Sequence, residues 1–129
     1  MNRVSHYLFV YGTLKKGGSR HRLLARPGIR CVGHGQTRGR LYSLPGRDYP
    51  AAVCDDGPSH VQGEIYEIED RYAQQYLGDL DLEEGVDEGL YARVLREIAA
   101  AGKTVNAWVY TYQQAVNEAF VIPTGVFPL

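Results

Sequence analysis

Apolar and polar positions change rhythm several times along the chain, and each change marks an element. Residues 6–11 (HYLFVY) form a short, β-prone apolar run, the pattern of a buried central strand. It stops at Gly12, and KKGGSR over 15–20 reads as a polar loop. Ser19 is placed to cap a short helical segment over 21–25, which ends before Pro27. Glycines at 33, 35 and 39 break up the next stretch, so a strand is expected over about 37–44, with Leu41 and Tyr42 on opposite faces. Pro45-Gly46 is a turn, and 51–54 is a short strand closed by Asp56-Gly57-Pro58.

Residues 61–68 (VQGEIYEI) alternate as a strand, with Val61, Gly63 and Ile65 facing one way. From Asp70, read as a helix cap, the period changes: Tyr72, Tyr76, Leu77 and Leu80 recur at helical spacing, and Gly85 ends the helix. Alternation returns over 90–98; Ala101-Gly102-Lys103 makes a hairpin turn, and 105–112 is the partner strand. The tail over 121–129, with Pro123, Gly125 and Pro128, reads as an irregular wrap. About six strands and one main helix give an α+β fold dominated by a mixed sheet, short enough to curl into a small β-barrel. With no repeat or linker, residues 1–129 are expected to form a single domain.

Composition refines this picture. Ten tyrosines against three Phe and one Trp suit a barrel with a partly wet interior. With 14 basic and 15 acidic residues the net charge is −1, which favours neither nucleic acid nor an anionic membrane as partner. The N-terminal half is locally basic and the stretch 64–88 acidic. These read as two solvated faces or as a basic rim that attracts an anionic substrate. Cys31 and Cys54 lack metal spacing and read as reduced thiols of a cytoplasmic protein. No signal peptide or membrane-spanning run is visible, and His6, His21, His34 and His60 lack metal-ligand spacing. The expectation is a monomer without cofactor or metal.

Three segments could carry chemistry. Tyr11-Gly12-Thr13-Leu14 ends the first strand, where a glycine lets backbone approach a ligand and the amides run out of sheet partners. A tight turn with no ligand is the other reading. Leu80-Asp81-Leu82-Glu83-Glu84-Gly85 closes the helix with three carboxylates. The helix dipole and like-charged neighbours favour the neutral form of a carboxyl there, which suits a proton shuttle; a solvated acidic helix end is the alternative. In Leu90-Tyr91-Ala92-Arg93, Tyr91 and Arg93 share a strand face, and Arg93 could hold a substrate carboxylate, pair with Glu84, or form a surface ion pair.

Together, FVYGTLKKG, Tyr49-Pro50-Ala51, LDLEEGVDEGLYARV and a Trp-x-Tyr strand resemble the γ-glutamyl cyclotransferase-like superfamily, in its γ-glutamylamine cyclotransferase and AIG2-like branch. The resemblance implies a small mixed α/β barrel. It implies a reaction converting a γ-glutamyl amine or amide to 5-oxoproline and a free amine. On this resemblance Glu84 matches the catalytic glutamate, and Tyr11, Gly12, Thr13 and Leu14 match the substrate-cradling loop. Tyr91 and Arg93 match a Tyr-x-Arg step, and Tyr110 an aromatic that lines the cavity. Many relatives carry Ser-Gly-Asp-Trp near the end, where this chain has Thr124-Gly125-Val126-Phe127, without the carboxylate. The alternative is a non-catalytic module that binds a small carboxylate metabolite in the same pocket. The leaving-amine side is expected to come from segments 15–30 and 45–60 and the tail.

Overall fold

A computed structural model describes residues 5–129. Six strands and one α-helix follow in the order β1 (Ser5–Val10), β2 (Ile29–Tyr42), β3 (Ala51–Cys54), β4 (His60–Glu69), α1 (Asp70–Glu83), β5 (Tyr91–Ala100) and β6 (Lys103–Tyr112). The sheet order is β3-β2-β4-β1-β6-β5, and a further β2–β5 pairing joins its ends. Five strands thus close a barrel, with β3 attached outside along β2. The sheet is mixed: β1 runs parallel to β6, and the other pairs are antiparallel.

Strand alternation splits the core into two layers. Phe9, Val61, Ile65, Ile98, Ala107 and Val109 form the apolar layer inside the barrel. Leu8, Val10, Tyr66 and Ile68 point the other way and pack under α1, against Ala73, Tyr76, Leu77 and Leu80. The helical spacing of these last residues is what lays α1 on the barrel. Burying each large apolar side chain contributes roughly 1.5–3 kcal/mol.

The structure corrects the expectation for β2. This strand starts at Ile29, and its glycines lie within it rather than breaking it. A Cβ on Gly35 would lie 2.7 Å from Ile98 Cγ2 and 2.9 Å from the Ala99 carbonyl oxygen, so glycine permits the close crossing that pairs Gln36 with Ala99 and closes the barrel. A bulge between Cys31 and Gly33 adds the local bend. Leu41 and Tyr42 are both fully buried.

Two expected caps are also displaced. Arg20, not Ser19, precedes the 3₁₀ turn His21–Leu24, and Glu69, not Asp70, precedes α1; neither makes a side-chain cap bond. Asp70 instead takes a 2.8 Å hydrogen bond with His6 Nε2. The β5–β6 turn holds Ala101 and Gly102 at φ 48° and 78°, the left-handed pair that two-residue hairpins use. The tail wraps as expected: Ile122 donates to the Leu41 carbonyl at 2.7 Å, and Gln62 donates to that of Gly125 at 2.8 Å. Among the described residues, no helix is long and apolar enough to cross a membrane.

Candidate active site

Where β1 leaves the sheet, the chain turns through Gly12 and Thr13 beside the last turn of α1. Gly12 is required there by space: a Cβ would lie 2.7 Å from Pro50 Cδ. The turn is braced from several sides. The Lys15 amide donates to Gly12 O, and the Arg20 amide to Thr13 O, both at 3.0 Å. Glu64 accepts from the Lys16 amide at 2.8 Å, and His21 Nδ1 lies 2.9 Å from Leu14 O. These bonds use the loop's carbonyls. The amides of Gly12, Thr13 and Leu14 have no protein acceptor among the described residues.

Glu84 lies at the end of α1. The left-handed Gly85, at φ 66°, stops the helix, and Glu84 caps it with its amide bonded to Leu80 O at 2.9 Å. The stop directs the Glu84 side chain inward, 9% exposed, while Glu83 next to it stays outside. The Glu84 carboxyl makes no hydrogen bond or ion pair among the described residues. Among the described residues no fully buried side-chain oxygen or nitrogen lacks a partner, so the Glu84 oxygens keep some exposed surface. Burial is the main cause that pushes Glu84 up to about 7; Arg20 opposes this and Glu83 adds to it.

One cavity joins these pieces. Its floor is Phe9 to Leu14, and its walls are Arg20, Tyr49, Pro50, Glu84, Tyr91 and Tyr110. It admits the centre of a water-sized sphere over about 30 Å³, room for about two waters. Two wider hollows lie along the β2–β5 seam; one is lined by the exposed carboxylates Asp56 and Glu97, and the other by no carboxylate. They lack the feature that sets the smaller cavity apart.

The phenols around the cavity are already engaged as donors. Tyr11 donates to Tyr110 O at 2.5 Å, Tyr91 to Pro50 O at 2.6 Å, and Tyr110 to Asp81 Oδ1 at 2.7 Å. Burial raises all three well above the ordinary tyrosine value, so they remain neutral. They form a rigid polar wall with oxygens still able to accept.

The structure thus brings Tyr11, Gly12, Thr13, Leu14, Glu84, Tyr91 and Tyr110 to one cavity. It leaves Arg93 out. Arg93 makes a two-pronged contact with Asp81, Nε to Oδ1 at 2.8 Å and Nη2 to Oδ2 at 3.2 Å, and its guanidinium lies 4.4 Å from the Trp108 ring centre. The pairing with Glu84 that the sequence allowed is replaced by one with the carboxylate a helical turn earlier. Sequence reasoning missed Arg20 as a cavity wall, although it counted that residue in the basic half. From segments 15–30 and 45–60, Arg20, Tyr49 and Pro50 line the cavity. The tail does not line the cavity; it holds the loop from behind, where Lys15 Nζ donates to Phe127 O at 3.1 Å.

Comparison with known proteins agrees with this architecture. Residues 8–128 match the family described as γ-glutamyl cyclotransferase, AIG2-like. The chain is 32% identical over 124 residues to a Vibrio cholerae protein provisionally named γ-glutamylcyclotransferase, covering 95% of each. A Methanocaldococcus jannaschii protein with the same provisional name is 28% identical over 109 residues, covering 84% of this chain and 86% of its own. The crystal structure of an AIG2-like protein from Mus musculus superimposes with a TM-score of 0.80 at 27% identity, over 96% of this chain and 88% of that one. The match spans nearly the whole chain and includes the loop, the helix end and the late strands that build the cavity. The chain is a member of the AIG2-like γ-glutamyl cyclotransferase family.

Proposed function

We propose that this protein cyclises a γ-glutamyl amine or amide to 5-oxoproline and a free amine, with Glu84 as general acid and base. The observation that carries the reading is the Glu84 carboxyl, without a hydrogen-bond or ion-pair partner among the described residues, lining one cavity with Gly12, Thr13 and Leu14, whose amides have no protein acceptor there either. A group that titrates near 7 both accepts and returns a proton at neutral pH.

The substrate brings its own nucleophile, the α-amine, which is mostly protonated at neutral pH. Glu84 takes one proton, and the freed amine attacks the γ-carbonyl carbon, forming the ring C–N bond. Because attack is intramolecular, the site mainly holds a folded conformer. The oxyanion that forms suits the amides of the Gly12–Leu14 loop. Glu84 returns its proton to the leaving nitrogen as the old C–N bond breaks. The ring nitrogen sheds a second proton, which ends on the released amine through solvent. This accounts for all protons, without a covalent enzyme intermediate.

The test is to incubate the protein with a panel of γ-glutamyl amines and peptides and to follow 5-oxoproline by mass. The reading expects release from at least one class of amine. A panel without turnover favours the second reading, a binding module for a small carboxylate metabolite. That reading draws on the small size of the cavity and on its cation, Arg20.

A further inference from the structure

The mechanism leaves one substrate charge unassigned. A γ-glutamyl group carries an α-carboxylate on the same carbon as the α-amine. If the amine meets Glu84, the carboxylate lies within a few ångströms, in a cavity mostly walled by neutral groups. Burying an unpaired carboxylate is costly. Arg93 cannot serve, because it stands outside the cavity, where its Nε–Nη2 edge is committed to Asp81. The loop amides are the donors placed for the oxyanion, and the three phenols already spend their protons within the protein.

We infer that Arg20 anchors the substrate α-carboxylate, an assignment that rests on the proposed reaction and extends it. Arg20 is the cationic side chain that lines the cavity with Glu84 among the described residues. Its backbone is fixed, since its amide donates to Thr13 O at 3.0 Å, and the 3₁₀ turn His21–Leu24 begins directly after it. Its guanidinium lies 5.2 Å from the Tyr49 ring centre at the rim. The head group is only loosely held: Nε stands 3.4 Å from Glu83 Oε1, an ion pair without hydrogen-bond geometry between side chains 25% and 38% exposed. Such a pair contributes little stability and exchanges readily for a better-placed carboxylate. An arginine presents several donors in a planar fork, so it can keep an edge on Glu83 and offer another to the ligand. Arg20 and Glu84 line the same cavity, and the Arg20 charge opposes the upward shift of the Glu84 carboxyl.

The experiment compares 5-oxoproline, which keeps the carboxylate, with 2-pyrrolidinone, the same lactam without it. Binding is measured by calorimetry or by chemical-shift titration on wild-type protein and on Arg20→Met, Arg20→Lys and Glu83→Gln. Neither probe depends on the identity of the leaving amine. Wild type should prefer 5-oxoproline, and Arg20→Met should lose roughly ten- to a hundred-fold in affinity for it while binding 2-pyrrolidinone unchanged. Arg20→Lys should recover part of the loss, and Glu83→Gln should bind 5-oxoproline at least as tightly as wild type.

Equal 5-oxoproline affinity in Arg20→Met overturns the assignment while leaving the cyclisation reading to its own turnover test. Equal loss of both lactams also overturns it, because a collapsed cavity rather than a lost anchor would then explain the result. Failure of wild type to bind 5-oxoproline at millimolar concentration overturns the assignment and counts against the reaction as well.

Discussion

Asp81 and Glu84 lie three residues apart at one end of α1, and their surroundings differ in almost every respect. Asp81 is a quarter exposed and saturated: it accepts both prongs of Arg93 and the Tyr110 hydroxyl. Glu84 is more deeply buried and has no partner among the described residues. Folding alone explains the first arrangement, since the bonds of Asp81 tie α1 to β5 and β6. It does not explain the second, because an unpaired buried carboxyl opposes folding whenever it ionises. A carboxyl kept in such a place fits the proton-shuttle role proposed for it.

The largest test of this contrast is Glu84→Gln, which keeps size and polarity but cannot carry the proton. Release of 5-oxoproline should fall by about 10²–10⁴-fold while lactam binding persists. Undiminished turnover would remove the distinction between the two carboxyls.

The same substitution should change stability with a definite sign. The folded-state value of Glu84, about 7, lies above the ordinary 4.5, so the stability it contributes is present below pH 4.5 and lost as pH rises through 7. Glutamine does not titrate. Urea unfolding should therefore find Glu84→Gln more stable than wild type at pH 8, by up to about 3 kcal/mol, with the gain vanishing toward pH 4.5.

Asp81→Asn should behave in the opposite way. It weakens the hold on Arg93 and Tyr110, and should lower stability by roughly 1–3 kcal/mol at pH 8 while reducing turnover far less than Glu84→Gln. Gly12→Ala belongs to neither pattern. Its Cβ would press on Pro50 Cδ at 2.7 Å, so it should both destabilise by about 1–3 kcal/mol and reduce turnover as the cavity wall shifts. The smallest effect is expected at Glu83, whose side chain is 38% exposed: Glu83→Gln should leave stability within about 0.5 kcal/mol.

The sequence made parts of this legible and hid others, for physical reasons. β1, α1 and the β5–β6 hairpin announce themselves, because a single rhythm of apolar residues governs each one. The first half of β2 does not, since Gly33 and Gly35 look like breakers until the barrel closes over them and Ile98 needs the space. The loop at Gly12 and the glutamate at the helix end were visible as motifs. Which carboxylate Arg93 would meet was not, because Asp81 and Glu84 share a helix face and only the left-handed stop at Gly85 settles where each points. Arg20 had no signal of its own: one arginine in a polar loop looks like any other until the fold sets it beside Glu84.

The most direct measurement is a carbon-13 titration of the Glu84 side-chain carboxyl in labelled protein, with the resonance assigned by its absence from Glu84→Gln. The midpoint should lie near pH 7 and move when 5-oxoproline binds. A midpoint near 4.5, indifferent to the ligand, would mean that this carboxyl is solvated and that the cavity is not where the chemistry occurs.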